Sequence, residues 1–197
     1  MDKRDLQTLG IYGHGGSGKS VPAQELWALI GKERANLLET NVYVLDGSVR
    51  DLVAPRAFPN QKVTACMSLA HELGSLERDI KALQAGLNIL TIGKDWQPSK
   101  RLSGKKPILI VEGMSVAFLS PDLFDMRIYL YTDEETSLAR RLERDVSRRN
   151  RSREFVKAME KERRNQYRIY YEPYQTQADV LICQSDNQFV IKRNRAF

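Results

Sequence analysis

Cysteine is scarce in this chain: Cys66 and Cys183 are two thiols in 197 residues. Without metal-ligand or Cys-x-x-Cys spacing they exclude a disulfide framework and a thiolate metal cluster, and reduced, buried thiols are expected. Long hydrophobic runs are missing as well. Nothing approaches the ~20 apolar residues of a membrane span, so no membrane partner is expected. The stretch MDKRDLQTLGIYG lacks the apolar region of a secretory leader, which favours a cytoplasmic protein. Internal repeats, low-complexity tracts and linker-like segments are absent, and the length suits a single domain over 1–197.

Positive charge, by contrast, is present in excess and unevenly placed. The net charge is +6, yet residues 140–168 alone hold twelve Arg or Lys against five Asp or Glu. The excess therefore sits in one segment, and a basic segment of this kind suits a nucleic acid, an anionic surface or a polyphosphate. Aromatics are sparse there until Phe155 and Tyr167, and acids intervene, so base-stacking platforms are not evident and nucleic acid is disfavoured.

Apolar runs alternate with helical patterns, which predicts βα units around a parallel sheet. Strands are expected at 6–12, 36–44 (broken near Thr40-Asn41), 107–111, 126–131 and, last, 178–183, with a short strand or hairpin arm at 88–92 and a loop over 94–106. A helix over 18–30 should turn Leu26, Leu29 and Ile30 inward, with Pro22 tolerated in its first turn, where no intrahelical N–H bond is lost. Leu69, Leu73, Leu76, Ile80 and Leu83 form one apolar helix stripe that Gly86 ends. Thr132 with Glu135 makes a capping box. Leu138, Leu142 and Val146 give the following helix its buried face, and 152–170 reads as one long charged helix.

The most specific motif is Gly13-His14-Gly15-Gly16-Ser17-Gly18-Lys19-Ser20, which matches G-x-x-x-x-G-K-[ST] in full. Average residue usage gives a chance match in a chain this long at roughly 1%. Backbone N–H groups of Gly13, Gly15, Gly16, Ser17 and Gly18, with the next helix N-terminus, would cradle anionic oxygens. Lys19 would reach the β- and γ-phosphates of ATP, and Ser20 would ligate Mg²⁺. A glycine-rich turn without a ligand is the bland alternative. Ile108-Leu109-Ile110-Val111-Glu112-Gly113 places an acid at the C-terminal end of a buried strand, where open α/β sheets bind ligands. Glu112 is thus a second metal candidate, or else a solvated strand-end acid. The run Arg140-Arg141-Leu142-Glu143-Arg144-Asp145, followed by Arg148-Arg149-Asn150-Arg151, reads either as a mobile lid that brings guanidinium groups to a triphosphate or as a charged helix pair with internal ion pairs.

Together GHGGSGKS, ILIVEGMS, TDEETSLARRLERDVSRRNR and ADVLI resemble, in order, the landmarks of the uridine kinase and phosphoribulokinase family of P-loop kinases, over about Leu6 to Cys183. The resemblance implies an α/β three-layer sandwich like that of nucleoside monophosphate kinases, with a mainly parallel five-stranded sheet and a helical lid at about 140–165. It implies ATP with Mg²⁺ and phosphorylation of a hydroxyl on a nucleoside or ribose-type acceptor. By position Arg144, Arg149 and Arg151 resemble phosphate-contacting lid arginines, Arg141 a nearby active-site arginine, and Asn187 a residue near the adenine.

The chain departs from the family on the acceptor side. An aspartate usually ends the second strand as general base; here the segment is Glu39-Thr40-Asn41-Val42-Tyr43, and Thr40 or Asn41 falls there. Glu39 and Asp46 are the acids that could stand in. The aspartate that grips ribose hydroxyls is missing from Ala65-Cys66-Met67-Ser68, and the base-reading segment appears as Lys94-Asp95-Trp96-Gln97-Pro98-Ser99. Asn41, Tyr43, Cys66, Trp96 and Arg141 are the acceptor-side candidates; Trp96 either stacks on a base or covers a core edge. His71 reads as a packing residue ahead of a catalytic one. An ATP-dependent small-molecule kinase is the leading expectation, a nucleotide-binding regulator without phosphotransfer the alternative, and a homo-oligomer stays open.

Overall fold

The computed structural model describes residues 6–52, 63–149, 152–185 and 188–196. Among them, strands β1 (Gln7–Tyr12), β2 (Ala35–Glu39), β5 (Ile108–Glu112), β6 (Met126–Tyr131), β7 (Val180–Ser185) and β8 (Gln188–Asn194) form one sheet in the order β2-β5-β1-β6-β7-β8. The first five are parallel, as the βα pattern predicts. β8 adds an antiparallel sixth strand that the sequence reading did not contain. It is exposed along most of its length, so no apolar face announces it. The short strands β3 (Ile89–Leu90) and β4 (Arg101–Leu102) pair separately as a hairpin.

Alternation along the strands builds two cores. Ile11, Leu37, Ile110 and Leu130 face α1 (Ser20–Ile30), meeting Ala23, Leu26, Trp27 and Ile30. Their neighbours Tyr12, Leu38, Leu109, Val111 and Tyr129 face the other way, toward Leu76, Ile80 and Leu83 of α3 (Leu73–Gln84). Two expected inner residues are outside. Leu29 is 85% exposed; Trp27 takes the inward place because its indole Nε1 donates to Ala35 O at 2.9 Å, fixing α1 on β2. Leu69 lies in a short turn ahead of α3 and is half exposed.

β2 ends at Glu39, and Thr40–Tyr43 form a single 3-10 turn leading to α2 (Gly47–Leu52). That turn carries Tyr43 into the core. Its side chain is fully buried and its hydroxyl donates to Asp79 Oδ2 at 2.6 Å. Burial, followed by Asp79, pushes the phenol far above its ordinary value. Tyr43 thus lies away from the acceptor side. His71 is likewise internal: it precedes α3, with Nδ1 2.8 Å from Ser115 Oγ and Nε2 2.9 Å from Ala65 O. Both bonds are met by the neutral ring, Nε2–H donating and Nδ1 accepting, and burial lowers its pKa to about 4.

The charged C-terminal half differs most from expectation. α4 (Glu134–Arg149) is capped by Asp133, whose carboxylate accepts from Thr136 N at 2.7 Å, while Thr132 instead bonds Ser185. The expected apolar face does not turn inward: Leu138 and Leu142 are half-buried and Val146 is exposed. Ser137, Arg141 and Asp145, one helical turn apart, are the buried positions. The segment after it is three pieces rather than one rod: α5 (Arg153–Ala158, capped by Ser152 Oγ), α6 (Glu160–Gln166) and a π turn over Tyr167–Tyr171.

Two outcomes test this packing. Tyr43→Phe should cost about 1–3 kcal/mol, because it leaves a buried carboxylate short of a donor, and should leave acceptor KM unchanged; denaturant melts and kinetics read the two effects separately. A histidine held neutral in the fold at about 4, against an ordinary value of 6.5, leaves the unfolded chain binding more protons between those values. Stability is therefore full above about 6.5 and falls as pH drops toward about 4, by on the order of 3 kcal/mol. Melting temperature against pH should show this slope, and His71→Asn should reduce it without abolishing it, because His14 is lowered to about 4 by burial as well.

Candidate functional site

β1 delivers the glycine-rich loop to the C-terminal edge of the sheet, between the ends of β5 and β6. The turn is tight. Gly13 has φ +153°, and a Cβ there would sit 1.9 Å from Leu130 O. Ser17 N donates to His14 O at 3.1 Å, closing the loop. Gly15 has open space where a side chain would be and lines a cavity of about 860 Å³. The Lys19 ammonium lies 3.5 Å from His14 O and lines the same cavity. Ser17 and Gly18 complete the loop, with Gly18 set against the Gln184 side chain.

α4 holds this loop from the side. Ser137 Oγ donates to Gly15 O at 3.2 Å, and Arg140 Nη1 lies 3.5 Å from Gly16 O and 3.4 Å from Gln184 O. His14 pins the other flank: its Nε2 accepts from Thr132 N at 3.3 Å, and its ring meets Tyr167 edge-on at 4.9 Å. Burial, with the nearby Lys19 and Arg164 cations, lowers its pKa to about 4. Tyr171, fully buried, places its hydroxyl 3.3 Å from Gly13 O and 3.1 Å from Met114 O. The π turn is thereby fastened to the first residue of the loop.

β5 places Glu112 beside it. Glu112 pairs in register with Ile11 and with Glu39, is 1% exposed, and accepts a bond from Ser20 Oγ at 3.1 Å. Burial pushes its carboxyl up, against the pull of the Lys19 ammonium and the Ser20 hydroxyl. Two hard oxygen donors at the foot of a phosphate loop fit Mg²⁺, which takes one or two carboxylate or hydroxyl ligands and completes its shell with water and phosphate oxygens. Among the described residues no cluster of three or more His, Cys, Asp or Glu offers a richer metal site.

On the acceptor side Asn41, Asp46, Arg50, Cys66 and Trp96 line the cavity. Thr40 does not: it is fully buried, its Oγ1 lying 2.1 Å from where a Cβ on Gly113 would be, so that glycine is required for β2 and β5 to end side by side. Trp96 is 61% exposed in a turn closed by mutual Lys94 and Gln97 backbone bonds. Glu39 is held by Lys100 Nζ at 2.5 Å and Gln97 Nε2 at 3.1 Å, turned from the cavity lining. Asp46 is in the lining and pairs with Lys94 Nζ at 3.0 Å.

From above, Arg141 and Arg144 on α4 and Glu160, Arg163 and Arg164 on α6 close the lining. Arg141 is paired with Glu160, whose other oxygen accepts from Arg164 at 3.2 Å; Arg144 Nε pairs with Asp145 Oδ1 at 2.9 Å. The charged-helix reading of this segment holds for Arg141, Arg144 and Arg164, which are internally paired, and these arginines also line the cavity that Lys19 lines. Arg151, Asn187 and the Arg149 side chain lie outside the described residues. Residues that sequence reasoning missed are Arg50 and Arg163, which carry no motif, and Ser137; Arg140, read as part of the arginine run, bonds the loop carbonyl of Gly16. The register of Ser137 with Arg141 and Asp145 could have signalled a buried polar face.

Comparison with known proteins agrees with this geometry. The profile of the Phosphoribulokinase / Uridine kinase family matches residues 8–190. A uridine kinase from Brevibacillus brevis is 28% identical over 185 residues, covering 88% of this chain and 83% of that protein. A phosphoribulokinase from Synechocystis sp. is 25% identical over 182 residues, covering 88% of this chain and 52% of that one. The solved phosphoribulokinase from Rhodobacter spheroides superposes with a TM-score of 0.66 at 15% identity, over 92% of this chain and 71% of that one, a likeness of fold. With a family profile spanning most of its length and the P-loop, the strand-end glutamate and the arginine-rich helices around one cavity, this chain belongs to the phosphoribulokinase/uridine kinase family of P-loop kinases.

Proposed function

We propose that this protein transfers the γ-phosphoryl group of ATP to a hydroxyl of a small nucleoside or ribose-type acceptor. The observation that carries this reading is one cavity whose lining joins Lys19, beside the Ser20–Glu112 pair, with Asn41, Asp46, Cys66 and Trp96. A triphosphate on the glycine-rich loop and an acceptor in the same cavity would be held together, and phosphoryl transfer depends mainly on such positioning and on charge stabilisation.

Lys19 and the loop amides neutralise the β- and γ-phosphates. Ser20 and Glu112 would hold Mg²⁺, which when bound supplies further positive charge to the phosphate oxygens. Arg144 and Arg141 face the transferring group from α4; Arg149 and Arg151 are proposed to join them. The acceptor oxygen forms the new bond to the γ-phosphorus, the bond to the β,γ-bridging oxygen breaks, and its electron pair leaves with ADP. The hydroxyl proton passes to Asp46. Asp46 is preferred over Glu39 because it lines the cavity, whereas Glu39 is engaged by Lys100 and Gln97. Asn41 and Trp96 position the acceptor, and Cys66, whose thiol burial pushes up, bounds it as an apolar wall.

Variant kinetics and calorimetry decide the roles. Lys19→Ala should lower kcat by on the order of 10²–10³-fold or more; ATP consumption at the parent rate would reject the assignment. Asp46→Asn should lower kcat by about 10²–10⁴-fold without changing ATP affinity, while Glu39→Gln changes it by only a few-fold. Asn41→Asp in the Asp46→Asn background should recover turnover, since it sets a carboxylate back on the cavity wall. Tight ATP binding by calorimetry with no phosphorylated product from nucleoside, pentose phosphate or pantothenate-like acceptors would instead identify a nucleotide-binding regulator.

A further inference from the structure

Gly15-Gly16 is the one Gly-Gly step in the chain. A peptide turns over by changing ψ of the residue before it and φ of the residue after it, and here neither residue has a Cβ to resist the turn. Its orientation matters, because the carbonyl and the N–H of a planar trans peptide point to opposite sides. Turned one way, the Gly16 N–H faces a bound phosphate. Turned the other way, the Gly15 oxygen does, and two negative ends meet. Gly15 lines the cavity, so a group outside the step has to choose between the two.

Two side chains from different elements hold the Gly15 carbonyl. Ser137 Oγ, on α4, donates to it at 3.2 Å, and His14 Nδ1 lies 3.1 Å from the same oxygen. A carbonyl oxygen only accepts, so Nδ1 carries the hydrogen and donates it. The end of β6 enforces that tautomer: the Thr132 N–H can only donate, and it meets Nε2 at 3.3 Å, so Nε2 is the bare nitrogen. Burial, with Lys19 and Arg164 near, lowers the pKa of the ring to about 4, so it is neutral at ordinary pH. The seat is also sterically closed. Gly16 has φ +90°, and a Cβ there would stand 2.9 Å from Ser137 O and 3.0 Å from Ser137 Oγ. With the Gly15 oxygen engaged by Ser137 and His14, the Gly16 N–H points away from both donors, and among the described residues no backbone acceptor meets it. The next N–H, of Ser17, is spent inside the loop on His14 O.

We infer that His14 and Ser137 are positioning residues that clamp the Gly15–Gly16 peptide in the orientation offering its N–H to the phosphates of the nucleotide. Each spends its donor on the peptide and acts through it. A bond from an N–H to an anionic oxygen is roughly twice as strong as a neutral one, and a donor already aimed saves the cost of turning it on binding. Ser137 belongs to the helix that brings Arg141 and Arg144 to the cavity lining. The amide is therefore set only while α4 is seated, so loop and arginines are presented together. The inference rests on the loop holding a triphosphate and on nothing about the acceptor.

Calorimetry in Mg²⁺ with two probes, a non-hydrolysable ATP analogue and inorganic triphosphate, tests this beside thermal melts. Ser137→Ala, which removes one hydroxyl, should weaken both probes about 5–10-fold. The histidine variants divide the functions of the ring: the carboxamide nitrogen of Asn falls near the place of Nδ1, the carboxamide oxygen of Gln near that of Nε2. His14→Asn should therefore stay within about 3-fold of the parent although it loses the Thr132 bond, and His14→Gln should lose about 10-fold although it keeps that bond. Both should melt lower, so stability and affinity part; a purely structural role would make affinity follow the melting temperature. Where a histidine substitution fails to fold, Ser137→Ala decides alone. Parent affinity in Ser137→Ala, His14→Asn binding no better than His14→Gln, a loss confined to the analogue, or no binding of inorganic triphosphate by the unaltered protein overturns the inference while leaving the kinase reading intact. Failure of the analogue to bind the unaltered protein overturns both.

Discussion

A carboxylate that is 1% exposed at the end of a parallel strand is the constraint around which the site is assembled. Burying a charge is costly unless cations and donors meet it. Glu112 is met by the Ser20 hydroxyl and by the field of Lys19, two consecutive residues of the phosphate loop. β5 therefore fixes where the loop must stand, and the pairing of Gly113 N with Ile11 O ties the two strand ends together. Gly113 in turn lets Thr40 close on the other side, so the end of β2, and the acceptor wall that follows it, is set by the same strand. One buried acid registers both halves of the cavity.

The basic helices obey a matching logic. α4 presents a polar stripe to the interior because the interior at that height is a phosphate loop with carbonyl oxygens to satisfy: Ser137 serves Gly15 and Arg140 serves Gly16. Arg141 and Glu160 then join α4 to α6. Such a pair contributes little net stability, but removing one partner alone is costly, so the pair enforces the relative placement of two helices. Tyr167 and Tyr171 carry the connection back to His14 and Gly13. The glycine-rich loop, α4, α6 and the π turn are thus joined by hydrogen bonds, an ion pair and a ring contact.

Much of the architecture was readable from sequence because buried parallel strands are continuous apolar runs, and the phosphate loop is a glycine pattern no other element demands. What escaped reading did so for physical reasons. Val146 and Leu29 looked internal because apolarity was taken as burial, yet at α4 the cavity rewards charge and at α1 the indole of Trp27 wins the inner position. Tyr43 looked like an acceptor contact because it stands next to Asn41 and Val44, which line the cavity; a single turn over Thr40–Tyr43 rotates it toward Asp79. β8 has no buried face and hence no alternating signature. Arg50 and Arg163 carry no spacing signal, since what makes them neighbours of one cavity is the tie between Thr64 and Gln166, residues 102 positions apart.

The break at Met159 between α5 and α6 changes what side-chain periodicity can mean there. Val156 and Gln166 are both buried, yet in an unbroken α-helix ten residues of advance would set them about 80° apart around the axis. Met159 keeps helical bonds on both sides, its N–H donating to Phe155 O and its carbonyl accepting from Arg163 N, but its ψ of −5° departs from the ideal of about −42°. The winding is therefore uneven at one residue, and a helical wheel drawn with a constant step across the whole segment misplaces the residues beyond it.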